Sequence, residues 1–207
     1  MNLENYYWFF QNVVPARICD EIIKYGLQLK ERMALTGGYT ANTMSTKAIK
    51  DLKTKRDSNI VWLAENWIYK EIHPYLNLAN KNAGWNFQWD WSESCQFTKY
   101  TKGQYYDWHC DSWETPYNHP NSPSHGKIRK LSITLCLSGA EDFKGGDLEF
   151  DVRRNDPDKK RAPRICKEVR SKGSLVIFPS FVRHRVKPVT KGSRYSLVIW
   201  NLGWPFK

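Results

Sequence analysis

The second half of the chain consists of short segments rich in β-branched and aromatic residues, separated by glycine, proline and polar residues. Such segments are typical of strands that turn back on their neighbours. The predicted strands lie at 86–91, 94–100, 104–109, 129–138, 147–151, 164–169, 174–178, 184–189 and 193–201. A run of strands of this kind favours a barrel of antiparallel strands.

The first part of the chain has the apolar spacing of helices instead. Apolar residues recur every three or four positions between Pro15 and Met33, and proline is favoured in the first turn of a helix. A second helix is predicted at about 59–78. The residues between the two helices, 33–57, are rich in Gly, Thr and Lys and are predicted to form a mobile loop or an edge strand.

These two patterns together predict one domain, 1–207, with a mainly β architecture. Residues 1–85 would supply helical support packed on one sheet, and residues 86–207 would form a double-stranded β-helix core, a jelly roll of the cupin type. A chain of 207 residues with 41% hydrophobic residues is long enough to bury one sizeable core.

The composition also bears on the cellular compartment. No run of about 18 apolar residues is present, so we expect no membrane-spanning helix. The N-terminus lacks the basic start and the small-residue cleavage site of a signal peptide. The five cysteines include no Cys-x-x-Cys pair and fit a reducing compartment better than a disulfide framework. These features predict a cytoplasmic protein.

The candidate metal ligands are His109, Asp111 and His184. His109 and Asp111 are two residues apart in or near a predicted strand, so their side chains would share a face. Antiparallel pairing could bring His184 across the mouth of a barrel to meet them. Two imidazoles and one carboxylate form the facial triad that holds non-haem Fe(II) with positions open for other ligands. The alternative is that each is an ordinary polar residue of a strand.

Ordered motifs surround these residues. They are Tyr100-Thr-Lys-Gly-Gln-Tyr-Tyr-x-x-His109-x-Asp111, the runs 129–137 and 145–150, and a C-terminal segment in which Gly-Ser-Leu-x-x-Phe-Pro precedes His184-x-Val-x-Pro-Val-x-x-Gly-x-Arg194. In these motifs the chain resembles the 2-oxoglutarate- and Fe(II)-dependent oxygenases, and within them the prolyl 4-hydroxylase-like (prolyl/lysyl hydroxylase domain) branch. The resemblance covers about 94–201, half of the chain.

The resemblance implies a role for each matching residue. His109, Asp111 and His184 would bind Fe(II), and Arg194 would bind the distal carboxylate of 2-oxoglutarate. A planar guanidinium offers paired donors to a carboxylate, so it fixes the orientation of the carboxylate better than lysine would. The other cosubstrate implied is O2, with ascorbate as a reductant.

Three further residues are candidates for contacting 2-oxoglutarate. Tyr100 occupies the position of a tyrosine whose hydroxyl often touches the cosubstrate in this family. Thr134 and Ser196 carry small hydroxyl groups that could donate to either carboxylate, although both are also ordinary strand residues. Some prolyl hydroxylases have a tyrosine on the strand of Thr134, where this chain has Leu135 and Cys136. A second contact to the distal carboxylate is therefore left unassigned.

The family chemistry is hydroxylation of an unactivated C–H bond, coupled to decarboxylation of 2-oxoglutarate to succinate and CO2. By resemblance, the leading hypothesis is a peptidyl prolyl substrate, with a peptide or protein as partner. The formal net charge of +11 favours polyanions, so the same chemistry on nucleic acid or a small molecule is the alternative. A catalytically silent cupin-like binding domain is the third hypothesis, and the complete set of ligands with Arg194 argues against it.

Three other segments bear on substrate binding. The loop 112–127 begins directly after the first two predicted ligands and would flank the metal, and its histidines, His119 and His125, are predicted to be exposed. The basic segment 153–172 is predicted to be a solvated hairpin loop. Tryptophans alternate within 85–91 and would share one strand face, either as part of the core or as a peptide groove.

Overall fold

The computed structural model describes residues 3–34, 45–152 and 162–206. In these ranges the helices are α1 (Ala16–Gln28), α2 (Thr46–Lys53) and α3 (Asn66–Asn82), with a 3-10 helix at Lys167–Val169. The strands are β1 (Trp8–Phe10), β2 (Arg32–Met33), β3 (Arg56–Asp57), β4 (Asn59–Leu63), β5 (Trp91–Ser92), β6 (Cys95–Tyr100), β7 (Tyr105–His109), β8 (Ile128–Cys136), β9 (Phe143–Gly145), β10 (Leu148–Phe150), β11 (Arg164–Ile165), β12 (Leu175–Pro179), β13 (His184–Val186), β14 (Val189–Gly192) and β15 (Arg194–Gly203). None of the helices described is long and apolar enough to cross a bilayer.

The strands form two main sheets and a small ribbon. The larger sheet has the order β1–β12–β8–β15–β6–β4–β2, with β5 added against β15. The smaller sheet has the order β11–β10–β13–β7–β3, and β9 pairs with β14 in the ribbon. Pairing is antiparallel throughout, and strands distant in sequence are neighbours in both sheets, as in a jelly roll. The prediction of a mainly β double-stranded β-helix is confirmed.

Two apolar cores hold the layers together. The first lies between the helices and the larger sheet, where Ile18 and Ile22 of α1 pack with Phe97 of β6. The spacing of four residues places both isoleucines on one face of the helix. The second core lies between the two sheets and includes Phe150 and Phe178. The helices therefore pack on one sheet, as predicted, and leave the space between the sheets for the site.

The predicted second helix is wrong at its start. Asn59–Leu63 form β4, which pairs with β6, and α3 begins only at Asn66. Ile60 and Leu63 have helical spacing, but Val61 beside them is buried as well. Two adjacent β-branched residues favour an extended backbone, and a distant strand supplies the hydrogen bonds. The first helix also ends earlier than predicted, at Gln28.

Two predicted loops lie only partly within the described residues. The loop 33–57 contains α2 and β3, and its residues 35–44 lie outside the described ranges. The basic segment 153–172 contains β11 and the 3-10 helix, so the strand covers only the first two residues of the predicted range 164–169. Residues 153–161 lie outside the described ranges.

The predicted strand 86–91 is wrong except at its end. Only Trp91 belongs to a strand, β5. Trp85 packs in the first core, and its Nε1 donates to the backbone oxygen of Asn5 at 2.8 Å. Trp89 packs beside that core. The tryptophans therefore do not alternate along one strand face, and for Trp85 the core interpretation is the correct one.

Candidate metal centre

Strand pairing brings the three predicted ligands together. His109 is the last residue of β7, and His184, the first residue of β13, lies directly opposite it. Asp111 lies just beyond β7, where its backbone N–H donates to the carbonyl of Ser180 at 2.8 Å. Cys110 between them is exposed. The two histidines thus share one pair of neighbouring strands, and the loop after β12 holds the carboxylate.

The side chains of these residues converge on one point. His109 Nε2 lies 3.6 Å from Asp111 Oδ1, and His184 Nε2 lies 3.6 Å from Asp111 Oδ2. One ligand-type atom of each residue lies within 4.8 Å of the other two. Asp111 and His184 are buried. The group therefore has the size and the donor set of a site for one metal ion.

Both imidazoles are held through their Nδ1 atoms. His109 Nδ1 lies 2.7 Å from the carbonyl oxygen of Asp107, and His184 Nδ1 lies 2.9 Å from that of Val182. Because a carbonyl oxygen only accepts, each Nδ1 donates its proton to that oxygen, and Nε2 is the ring nitrogen that faces Asp111. This orientation is the one that a metal ligand bound through Nε2 requires.

Burial and neighbouring charges set the protonation of this group. Burial, together with the neighbouring His184, lowers the pKa of His109 to about 3, so its imidazole is neutral at pH 7. Burial alone would raise the pKa of Asp111, but the two imidazoles, Arg129 and a hydrogen bond from Ser132 lower it overall. A neutral imidazole and an ionised carboxylate are the forms that bind a cation.

Arg194 lies in the same cavity, at the start of β15. It is only 3% exposed, its Nη1 donates to Ser196 Oγ at 3.1 Å, and its guanidinium lies 5.6 Å from the ring centroid of Tyr100. Among the described residues, no carboxylate lies within ion-pair distance of it. A buried guanidinium without a counterion is costly unless a ligand supplies one. The cavity therefore suits an anionic ligand.

The same cavity contains Thr134 and Trp200. The indole Nε1 of Trp200 is buried and has no hydrogen-bond partner in the described part of the chain. The open volume between the lining side chains is about 30 Å³, close to the volume of one water molecule. A dicarboxylate would therefore need these side chains to move, and it would meet unused donors on Arg194 and Trp200.

The sequence model of the 2OG-Fe(II) oxygenase superfamily matches residues 95–201, more than half of the chain. The chain belongs to this superfamily. The match includes the three converging residues and Arg194. The resemblance drawn from the motifs alone is thereby confirmed.

Curated relatives of this oxygenase-superfamily chain are PKHD-type hydroxylases. One from Idiomarina loihiensis is 34% identical over 102 residues, which cover 49% of this chain and 38% of that protein. One from Teredinibacter turnerae is 28% identical over 193 residues, which cover 91% of this chain and 76% of that protein. The chain thus spans well under half the length of the first of these relatives.

Solved prolyl hydroxylases have the same fold. A viral collagen prolyl hydroxylase from Paramecium bursaria Chlorella virus-1, in complex with 2OG, superposes with a TM-score of 0.64 at 18% identity, covering 97% of each chain. A prolyl hydroxylase from Trichoplax adhaerens, in complex with a peptide fragment of the hypoxia inducible factor oxygen degradation domain, superposes with a TM-score of 0.60 at 18% identity, covering 96% of this chain and 84% of that one. Identities this low show the fold alone.

Sequence reasoning missed Arg56, a second buried cation in the cavity of this superfamily member. Its Nη2 donates to Gln96 Oε1 at 2.6 Å and its Nε to Ser58 Oγ at 2.9 Å. Its guanidinium lies 4.5 Å from the ring centroid of Tyr106, which in turn stacks on His109 at 3.4 Å. Arg56 stands in a lysine-rich stretch that resembles a loop, so nothing in the sequence distinguished it from its neighbours.

Arg129 was also missed, although it stands in one of the recognised motifs. Its Nε and Nη2 donate to the carboxylate of Glu93 at 2.7 and 2.5 Å, and its guanidinium lies 3.8 Å from the ring centroid of Trp200. Its Nη1 donates to the backbone oxygen of Asp111 at 3.4 Å. Arg129 thus connects one wall of the cavity to the segment that carries the carboxylate.

The loop 112–127 begins directly after Asp111, and its predicted place beside the metal stays a prediction. Tyr117 anchors it by donating its hydroxyl to Glu93 Oε1 at 2.9 Å. His119 and His125 are exposed and stand apart from the converging group, again as predicted.

Proposed function

We propose that this chain is an Fe(II)- and 2-oxoglutarate-dependent dioxygenase that hydroxylates a prolyl residue of a peptide. The observation that carries the proposal is the coincidence of two features in one cavity. Two imidazoles and a carboxylate converge there, with both Nε2 atoms facing the carboxylate. Beside them Arg194 is buried without a counterion among the described residues. The first feature suits Fe(II) and the second suits a dicarboxylate.

Each residue has a definite part in this proposal. His109, Asp111 and His184 would hold Fe(II) through Nε2, a carboxylate oxygen and Nε2. Arg194 would bind the distal carboxylate of 2-oxoglutarate, and Ser196, Thr134 and Tyr100, which line the same cavity, are the candidate hydroxyl donors.

When bound, Fe(II), 2-oxoglutarate and O2 supply the oxidation, in which 2-oxoglutarate becomes succinate and CO2 and one oxygen atom enters a C–H bond. The protein orients these components and excludes water, since Phe150 and Phe178 close the space between the sheets. No side chain is required to act as an acid, base or nucleophile. Ascorbate is the expected reductant.

The choice of a peptide substrate is supported by the similarity of this chain to known hydroxylases. The named relatives are PKHD-type hydroxylases, and one of the similar structures is a prolyl hydroxylase with a bound peptide. Nucleic acid is the competing substrate, because the chain has a formal net charge of +11. We also infer a single domain and a cytoplasmic location, the latter because the five scattered cysteines include no Cys-x-x-Cys pair and fit a reducing compartment better than a disulfide framework.

The metal site can be tested by comparing His109→Ala with His119→Ala. The two changes are chemically identical, but His119 is exposed and distant from the converging group. We expect His119→Ala to bind one equivalent of Fe(II) in anaerobic titration calorimetry and to form succinate like the wild type, and His109→Ala to do neither. If His109→Ala bound and turned over normally, the assigned site would be wrong.

The substrate can be tested by incubating the protein with Fe(II), ascorbate, 2-oxoglutarate and either proline-containing peptides or oligonucleotides. Mass spectrometry should detect the gain of one oxygen atom on a peptide, with more succinate than without it. Oxidised oligonucleotides with unmodified peptides would reverse the choice of substrate. No succinate with any substrate, despite normal Fe(II) binding, would favour the silent binding domain.

A further inference from the structure

A β-bulge beside the metal centre gives two neighbouring basic residues different surroundings. Leu131 of β8 lies opposite Asn201 of β15, and Arg129 lies opposite Leu202, so Lys130 is an extra residue on β8. Bulges of this kind redirect side chains and are common next to active sites. Arg129 points to Asp111 and Trp200, as described above, whereas Lys130 lines a separate cavity.

This cavity, which we call the Lys130 pocket, has a volume of about 570 Å³ and shares no lining residue with the metal centre. Its walls are the segments 86–90 and 203–206. The two segments are tied by a hydrogen bond from the N–H of Asp90 to the carbonyl of Leu202. They approach closely because Gly203 has no side chain, since a Cβ there would lie 2.3 Å from the backbone oxygen of Gln88. The volume is that of a small-molecule site.

Lys130 is a buried cation that lacks an anion. It is only 4% exposed, and in the described part of the chain no carboxylate and no hydrogen-bond acceptor is paired with it. Its Nζ lies 3.4 Å from the ring centroid of Phe206. The acidic residue lining the pocket, Asp90, is half-exposed and already paired with Lys127 at 2.7 Å. Burial lowers the pKa of Lys130, as expected for an ammonium group without a counterion.

Four of the other lining residues are aromatic. Phe87, Trp89, Trp204 and Phe206 all border the pocket, and Phe206 meets Phe87 edge to face with the ring centroids 4.8 Å apart. Flat apolar walls favour a ligand with an apolar or aromatic body, and a buried ammonium favours an anionic group on it. Neither feature serves the metal centre, which has its own cation in Arg194.

We propose that the Lys130 pocket binds a carboxylate carried on an aromatic body, with the carboxylate at Nζ of Lys130 and the ring between Phe87, Trp89 and Phe206. Two sources share this chemistry: a free aromatic acid, and the C-terminal residue of a peptide that ends in an aromatic side chain. The site does not depend on the reaction at the metal centre.

The test uses para-fluorophenylacetate and its neutral amide as probes, followed by fluorine NMR with the full chain. The acid should bind the wild type and Lys130→Arg, and its affinity for Lys130→Met should be lower by about tenfold or more. The amide should bind the wild type as weakly as the acid binds Lys130→Met. Arg194→Met should bind the acid like the wild type, because that variant changes the other cavity.

Two peptides that end in phenylalanine, one with a free carboxylate and one amidated, distinguish the sources. Displacement of the bound acid by the free-carboxylate peptide alone would assign the pocket to peptide C-termini, and displacement by neither would assign it to free acids. The proposal would be overturned if the acid bound the wild type and Lys130→Met equally, or if the wild type bound acid and amide equally. It would also be overturned if Arg194→Met lost binding, or if the wild type did not bind the acid at millimolar concentration. Lys130→Met should fold with an unchanged or higher melting temperature, since it removes an unpaired buried charge. The comparison of acid with amide on the wild type tests the proposal without relying on this variant.

Discussion

Buried charged residues in this protein differ in whether an opposite charge lies beside them. Glu149 is paired with Arg185 at 2.7 Å, and Arg129 is paired with Glu93. Arg194 and Lys130 are as deeply buried as Glu149, but the described residues supply no counterion to either. Burying an unpaired charge costs several kcal/mol, so such residues are better explained by ligands than by stability.

The variant Arg194→Lys tests whether Arg194 binds 2-oxoglutarate. Lysine keeps the charge but loses the paired donors that fix a carboxylate, so we expect 2-oxoglutarate to bind about tenfold to a hundredfold more weakly. Calorimetry with 2-oxoglutarate and Mn(II) under anaerobic conditions measures the affinity. Arg185→Lys is the matched control, because Arg185 contacts Glu149 away from the cavity. Unchanged binding by Arg194→Lys would remove Arg194 from the proposed site.

At the scale of elements, helix α1 packs against β6 at a glycine. A Cβ on Gly26 would lie 2.6 Å from Cδ1 of Phe97. Gly in a helix is about 1 kcal/mol less favourable than Ala, so helix propensity alone would favour alanine here. The close contact explains why glycine is required: it sets the distance between the helix layer and the larger sheet.

We therefore expect Gly26→Ala to lower the free energy of unfolding by about 1–2 kcal/mol despite its better helix propensity. Urea denaturation followed by circular dichroism measures it, with Lys24→Ala on the exposed face of α1 as the control. In a double-mutant cycle Phe97→Leu should remove most of the penalty. A stabilised Gly26→Ala would show that the helix moves away at little cost.

The loop 112–127 is a second element, and the Tyr117 hydroxyl is one of the contacts that hold it. Tyr117 donates its hydroxyl to Glu93, which also holds Arg129. Within the loop, the N–H of Gly126 donates to the carbonyl of Tyr117 at 2.9 Å. Glu93 therefore links the loop to the strand that supports the cavity.

Removing the hydrogen bond between Tyr117 and Glu93 with Tyr117→Phe should loosen the loop. A hydrogen bond to a carboxylate contributes about 1.5–3 kcal/mol, so the amide of Gly126 should exchange with solvent about tenfold faster or more. Hydrogen exchange followed by mass spectrometry measures this in peptides from 112–127. Tyr105→Phe, which loses hydrogen bonds to Lys53 and Thr54 instead, should leave the loop unchanged. Equal exchange in Tyr117→Phe and the wild type would mean that other contacts hold the loop.

At the scale of the whole molecule, the proposed metal would join parts of the fold that are distant in sequence. Its ligands come from β7, from β13 and from the segment just after β7. Ser180, which follows β12, holds that segment by a hydrogen bond to the N–H of Asp111. A ligand that binds only the folded state stabilises it by mass action.

Fe(II) at a hundred times its dissociation constant should therefore stabilise the protein by about 2.7 kcal/mol, which raises the melting temperature of a chain of this size by about 5–10 °C. Differential scanning calorimetry under anaerobic conditions, with and without a chelator, measures the shift in melting temperature. The wild type and His119→Ala should show it, and His109→Ala should not. A shift of the same size in His109→Ala would mean that the stabilising metal binds elsewhere.

The fold class and the family could be predicted from the sequence alone, and the sequence also singled out the four residues that we propose bind Fe(II) and 2-oxoglutarate. It could do so because strand segments are read from local residue types, and because motif residues keep fixed positions relative to one another along the chain. Tertiary structure decided what depends on pairing between distant segments. Ile60 and Val61 became a strand only because β6 lies beside them, Arg56 reached the cavity only because β3 pairs with β7, and Lys130 was separated from Arg129 by a bulge against β15. None of these pairings leaves a local signal, since the paired residues are 36 or more positions apart along the chain.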